Sequence, residues 1–159
     1  YATQELIRGM TDIQRAARSL YLIKVSFGSD RRTFATAPKI TSNISSSFSA
    51  VQQRLRKVVI ENLDFEHLIR TYDRPDALFY CDPPYIGTES YYRAPFTTDD
   101  HARLAKVLHN IKGRFLLSYN DCPSIHYLYG DCRIEPLVRL NQLSATGPTE
   151  YKELLVCNY

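Results

Sequence analysis

The chain has 159 residues, 44% of them hydrophobic and 23% charged, with a formal net charge of +3. That length and apolar content suffice for one sizeable core and exclude a disordered chain, while the slight positive excess leaves any affinity for a polyanion to a local patch. No stretch approaches the roughly 18 consecutive apolar residues of a membrane span, so neither a span nor an intact signal peptide is expected.

From about Thr3 to Val25, apolar residues including Leu6, Met10, Ile13, Ala17 and Leu20 recur at helical spacing and predict one long helix. Gly28 ends that region, and residues 28–46 turn polar and rich in Ser, Thr and Arg, as a surface loop or short hairpin would. A second helix is predicted from about Phe48 to Lys57, followed by a strand from Val58 to Asn62. Asp64 or Asn62 can cap a short helix, Phe65 to Tyr72, that stops before Arg74-Pro75.

A strand over 77–81 comes next and runs into Asp82-Pro83-Pro84-Tyr85. Ile86 to Thr97 reads as a tyrosine-rich, mobile loop, and Thr98 or Asp99 then caps a helix from about Asp100 to Ile111. A strand over 114–119, a short helix near 124–129 and strands near 132–139 and 151–158 follow, the last two forming a hairpin around Ser144-Ala145-Thr146-Gly147-Pro148. Strands alternating with helices predict an α/β fold with a mostly parallel sheet closed by an antiparallel pair. The expected division is a helical and loop segment, 1–57, and a core, 58–159.

Cys81, Cys122, Cys132 and Cys157 lack a close-pair metal spacing, and the histidines, His101 and His109 among them, show no ligand constellation, so no metal is expected. Apolar neighbours around Cys81 and Cys157 predict reduced, buried thiols.

The segment from Leu78 to Tyr85 carries the chemistry. Its apolar part reads as a buried strand, and the double proline ends it because neither proline can donate to a sheet ladder. An acid, a stiff turn and a ring therefore meet at a strand's carboxyl end, where open α/β sheets bind ligands. Asp82 and the Pro83 carbonyl can accept the two protons of an exocyclic amine while Tyr85 stacks on the ring that bears it. Holding both protons favours the pyramidal nitrogen that attacks an electrophile. The competing reading is a rigid turn with Asp82 as its initiator.

This motif resembles that of the Dam-type adenine-specific DNA methyltransferases. Ala16-Ala17-Arg18-Ser19-Leu20-Tyr21-Leu22 with Ser26-Phe27-Gly28 resembles the helix and turn leading into that family's DNA-recognition region. Val59 to Phe65 resembles the strand whose Asp-Phe end lies by the cofactor adenine, Leu116 to Asp121 the strand after the catalytic loop, and Lys152 to Tyr159 the closing strand. The likeness covers nearly the whole chain. It departs in lacking the family's amino-terminal basic-glycine segment and glycine-rich cofactor loop: the 6 glycines, at 9, 28, 87, 113, 130 and 147, form no cluster. The chain is therefore similar to the carboxyl-terminal part of such an enzyme, with a partial Rossmann-like sheet.

The resemblance implies a site-specific adenine DNA methyltransferase (EC 2.1.1.72) that uses S-adenosylmethionine, flips its target base and acts on double-stranded DNA in a cytoplasmic, nucleoid-associated setting. It implies catalytic roles for Asp82, Pro83, Pro84 and Tyr85, and cofactor contact for Asp64, Phe65 and Asp82. Asp64-Phe65 equally reads as a helix cap beside a core aromatic. Arg31, Arg32 and Lys39 fall in the segment the family uses to read DNA, although Ser29-Asp30 stands where the family often has glycine; a solvated basic loop is the alternative. Tyr91, Tyr92 and Arg93 resemble a loop that closes over the site and touches DNA, or a packed aromatic cluster. Asn120-Asp121 reads as a polar turn before Pro123 or as a group near the base. Two further readings stay open: a truncated, inactive DNA-binding remnant, or half of an enzyme completed by an amino-terminal portion or a second chain. Methylation of cytosine amine, RNA or protein by related acid-Pro-Pro-aromatic motifs is disfavoured by the flanking segments.

Overall fold

The computed structural model describes residues 9–26, 48–92, 96–141 and 149–159. The chain divides into two compact units, Tyr1–Ile60 and Glu61–Tyr159.

In the first unit, helix α1 spans Asp12–Val25. The expected start near Thr3 is corrected within the described residues: Gly9 turns at φ 83°, and Thr11 and Gln14 form a reciprocal capping box that starts the helix. The Thr11-x-x-Gln14 signature was present in the sequence and outranked by the apolar spacing. Helix α2, Phe48–Leu55, follows, with none of its residues buried.

The expected strand at 58–62 does not form. Val58, Val59 and Ile60 adopt no regular secondary structure and are exposed, Ile60 to 84%. A β-branched run becomes a strand only when a neighbour takes up its amides and carbonyls, and no strand pairs with it among the described residues.

The second unit holds α3 (Phe65–Tyr72), β1 (Leu78–Cys81), a 3-10 turn (Glu89–Tyr91), α4 (Thr98–Leu108), β2 (Arg114–Asn120), α5 (Pro123–Leu128), β3 (Arg133–Asn141) and β4 (Thr149–Cys157). Asp64 caps α3 by accepting from the Glu66 amide at 3.0 Å. The cap of α4 is Thr97, which shares a capping box with Asp100, one residue ahead of the first expected cap, Thr98, and two ahead of Asp99.

The four strands form one sheet in the order β1-β2-β4-β3. Strands β1 and β2 are parallel, with Leu78 opposite Arg114 and Cys81 opposite Leu117. Strand β4 runs antiparallel to both β2 and β3. The β3–β4 pair thus joins the sheet through its later strand, and β3 points the same way as β1 and β2.

Phe115, Leu117 and Tyr119 alternate along one face of β2 and are fully buried with Leu104 and Leu108 of α4, Ile125 of α5, and Leu154 and Val156 of β4. Asp73 fixes the chain's approach to β2 by accepting the Lys112 and Gly113 amides at 2.9 and 3.0 Å. There Gly113 runs so close to Ala77 and Arg74 that an added Cβ would stand 2.8 Å from both carbonyl oxygens.

Strand β1 corrects a second expectation. Leu78 and Tyr80 are exposed, at 56% and 66%, while Phe79 and Cys81 are half-buried on the face of Phe115 and Leu117. Among the described residues only the Phe79–Cys81 face packs against the core, so the apolar run of β1 is covered on one face rather than two. All four cysteines are free, Cys157 buried and Cys81 half-buried, where burial pushes its thiol up to about 11. No described helix is long and apolar enough to cross a membrane.

Candidate active site

Asp82 follows the last residue of β1, where Pro83 and Pro84 end the ladder. The β1–β2 register brings Ser118 beside it: Ser118 Oγ donates to Asp82 Oδ1 at 2.8 Å and lies 3.3 Å from the Cys81 carbonyl. Ser118 is buried whereas Asp82 is exposed, so one carboxylate oxygen is fixed from inside the fold. Oδ2 has no hydrogen-bond partner among the described residues.

Tyr85 is half-buried, its ring centroid 6.3 Å from that of Tyr119 at a 42° tilt. Burial, then the nearby Glu153 and Asp82 carboxylates, push its phenol up to about 12. Glu153, a residue of β4 that is 9% exposed, acts on the Tyr85 phenol through its nearby charge and also meets Arg139 Nη1 at 3.3 Å. The neutral phenol is therefore the form that faces any ligand near neutral pH.

The loop beyond Tyr85 is held at several points. Asn120, at the end of β2, accepts from the Ile86 amide and donates to the Ile86 carbonyl, both at 3.1 Å. This corrects the reading of Asn120 as a turn residue: it belongs to β2 and brackets the loop after β1. Asp121 does act beyond the strand, meeting His126 Nε2 at 2.8 Å. Gly87 supplies a left-handed turn at φ 87°, and its amide donates to Glu89 Oε2 at 2.9 Å. Glu89 Oε1 accepts from His101 Nε2 at 3.1 Å, and the Tyr119 hydroxyl donates to His101 Nδ1 at 2.6 Å. Backbone amides at Glu89 and Gly87, with His101 adding to them, hold the Glu89 carboxyl below its ordinary range. His101 is 1% exposed and packs edge-on to Phe96 with 4.8 Å between centroids.

Asp64 and Phe65 sit at the start of α3, with no strand before them. Arg103 of α4 grips Asp64 through both carboxylate oxygens, at 3.0 and 2.9 Å, and reaches Asp100 at 2.8 Å. Its guanidinium also lies over the Phe65 ring, 4.2 Å from the centroid. The cap and the packed aromatic are thus both present.

Tyr92 follows the 3-10 turn that includes Tyr91 and is 54% exposed. Arg31, Arg32, Lys39 and Arg93 lie outside the described residues. Sequence reading missed Glu89, which lies within the loop, and Ser118, His101, Tyr119 and Glu153, which meet the loop only through space. Ser118 alone carried a signal, as a polar residue in an otherwise apolar strand, one register position beyond the Cys81–Leu117 pair.

A mixed α/β sheet that ends in a carboxylate, two prolines and a ring is consistent with a methyltransferase-like fold. Residues 4–143 match the family model of D12 class N6 adenine-specific DNA methyltransferases, and the chain belongs to that family. It is also similar to the Type II methyltransferase M1.LlaDCHI of Lactococcus lactis subsp. cremoris, at 26% identity over 172 residues covering 94% of this chain and 60% of that protein. The chain therefore spans about 60% of the length of this curated relative.

Proposed function

We propose that this chain carries the base-handling part of a site that transfers a methyl group from S-adenosylmethionine to the exocyclic amine of adenine in DNA. The observation that carries the reading is Asp82, held by Ser118 at the end of β1 with Tyr85 beside it. Adenine's amine is inaccessible within a duplex, so the nucleotide must leave the stack at a cost of a few kcal/mol. Asp82 and the Pro83 carbonyl then accept the amine protons, Pro84 stiffens the turn, and Tyr85 stacks on the purine. Because Ser118 fixes Oδ1, the amine meets a preoriented carboxylate, which also takes its proton as the N–C bond forms or just after.

S-adenosylmethionine, when bound, supplies an electrophilic methyl on a sulfonium. The described residues fit the amine side of this reaction better than the donor side. Gly9 and Gly87 have open space at their Cβ positions but stand alone in separate turns, and Gly113 and Gly130 are crowded by backbone. Asp64 and Phe65 are our candidates for contact with the donor's adenosine, together with Asp82. Three of the roughly four acceptor positions on Asp64 are used by Arg103 and the Glu66 amide, which leaves room for one ribose hydroxyl. Arg31, Arg32, Lys39, Tyr91, Tyr92 and Arg93 are assigned to double-stranded DNA, in a cytoplasmic restriction-modification setting.

The 60% coverage of the relative favours a second reading, in which the grip on the donor comes from an amino-terminal portion or another chain. Two measurements test these readings. Asp82→Ala in an active preparation containing this chain should abolish N6-methyladenine in a nucleoside digest while DNA binding persists, and undiminished methylation would refute the assignment. Titration with labelled S-adenosylmethionine, with and without upstream residues, separates a self-sufficient chain from a completed one.

A further inference from the structure

Strands β1, β2 and β3 point the same way, so the amino ends of β2 and β3 lie opposite the end that carries Asp82. His109, at the carboxyl cap of α4, and Asp131-Cys132, in the turn before β3, meet at that far end. The ligand atoms form a compact triangle: His109 Nε2 to Asp131 Oδ1 is 2.8 Å, Cys132 Sγ to His109 Nε2 is 3.8 Å, and Cys132 Sγ to Asp131 Oδ1 is 3.8 Å. Among the described residues this is the one group of three or more metal-ligating side chains that converges so closely.

Each ligand is held from behind. His109 Nδ1–H donates to the Ala105 carbonyl at 2.7 Å, the second-sphere bond that aims Nε2 of a ligating histidine outward. The imidazole also stacks on Tyr129, with 5.6 Å between centroids and 18° between planes. The Cys132 amide donates to the Tyr129 carbonyl at 2.9 Å, which fixes the turn carrying the other two ligands. A cleft of about 520 Å³ opens beside them, lined also by Cys157 and Asn158.

We infer that His109, Asp131 and Cys132 form a site for a divalent transition metal of the zinc class, separate from the methyl-transfer site. Nitrogen, oxygen and sulfur donors in one triangle suit Zn2+ better than the all-oxygen preference of Mg2+ or Ca2+. With bonds of about 2.0–2.3 Å, tetrahedral coordination sets ligand atoms roughly 3.3–3.7 Å apart. The two sulfur edges, at 3.8 Å, need to close by about 0.2 Å, and the His109–Asp131 edge needs to open by about half an ångström, within one side-chain torsion of an exposed aspartate. Coordination replaces the Nε2 proton shared with Asp131 and the thiol proton of Cys132, releasing both to solvent. Water from the cleft completes the fourth position. The site ties the end of α4 to the start of β3 and braces the sheet from the end opposite Asp82.

Cobalt makes the test optical. The reduced, untagged chain in chelator-treated buffer is titrated with Co2+ and then with Zn2+. One equivalent of Co2+ should give thiolate-to-metal charge-transfer absorption that Zn2+ displaces, and Zn2+ should raise the thermal midpoint. Cys132→Ser should remove the charge-transfer band, and Asp131→Asn, at an exposed position, should weaken binding by on the order of 100-fold while circular dichroism stays native. Absence of the band in the unmodified chain, or its survival at full strength in Cys132→Ser, overturns the site and leaves His109–Asp131 as an ion pair only.

Discussion

Two buried tyrosines show what a single hydroxyl does in this fold. The Tyr119 hydroxyl satisfies His101, whereas the Tyr129 hydroxyl is buried with no hydrogen-bond partner among the described residues. Removing a partner strands a buried polar group, but removing an unpaired one relieves a desolvation cost. Tyr119→Phe should therefore lose about 1–3 kcal/mol in urea denaturation, and Tyr129→Phe should be roughly neutral or stabilising. Ser118→Ala belongs to the same scale and tests the site rather than the core. Loss of a hydrogen bond to a carboxylate, about 1.5–3 kcal/mol, should lower kcat by roughly 10-fold or more and leave KM for DNA nearly unchanged, since Asp82 stays in place but is no longer oriented. A rise in KM at constant kcat would show that Ser118 serves binding instead.

Among the elements, the loop after β1 depends on β2 at one amide. Asn120→Ala would unpair the Ile86 amide and carbonyl together, and methylation should fall by about 10-fold or more as the Asp82–Tyr85 turn loosens. Gly113→Ala should destabilise the chain by about 1–3 kcal/mol in thermal or urea melts, because the new Cβ meets backbone oxygens rather than flexible side chains. Local signals were legible in proportion to how local the forces are. Helix α3 matched its expected bounds, Phe65–Tyr72, because Asp64 caps it and Arg74-Pro75 stops it. The strand at 58–62 was not readable, since Val58 to Ile60 have the composition of a strand and lack the neighbour that would make them one. The burial of β1 was overestimated for a related reason: whether a face is covered depends on what lies against it, which an apolar run does not state.

For the whole molecule, pH probes a cluster rather than a residue. Arg103 hydrogen-bonds Asp64 and Asp100 and reaches Glu66, and Arg70 also pairs with Glu66; these contacts, with backbone amides at the two helix starts, hold the three carboxyls below their ordinary range. Carboxyls lowered in the folded state add stability above their unfolded pKa and lose it as pH falls through the folded value. Acid should thus destabilise the chain progressively below the ordinary carboxylate range. Arg103→Met should flatten that dependence, modestly because the group is exposed and screened by salt. Comparing urea midpoints across pH 3–7 for both chains, on the order of one unit per step, checks the sign. At this scale the sequence was a good guide to an α/β fold finished by an antiparallel pair and to Asp82-Pro83-Pro84-Tyr85 at a strand end, but the mostly parallel sheet it implied is, among the described strands, one parallel and two antiparallel pairings. It was no guide to groups that meet only after folding, such as Glu153 with Tyr85 or His109 with Cys132, because nothing in their spacing encodes the meeting. The strand order has one more consequence, for the timing of assembly. Strand β4 is synthesised after the other described strands yet lies between β2 and β3, so β3 has no place in the sheet until β4 has emerged. Strand β3 therefore joins the sheet only with or after β4, which makes the long-range pairing of β4 with β2 a late step in assembly of the sheet.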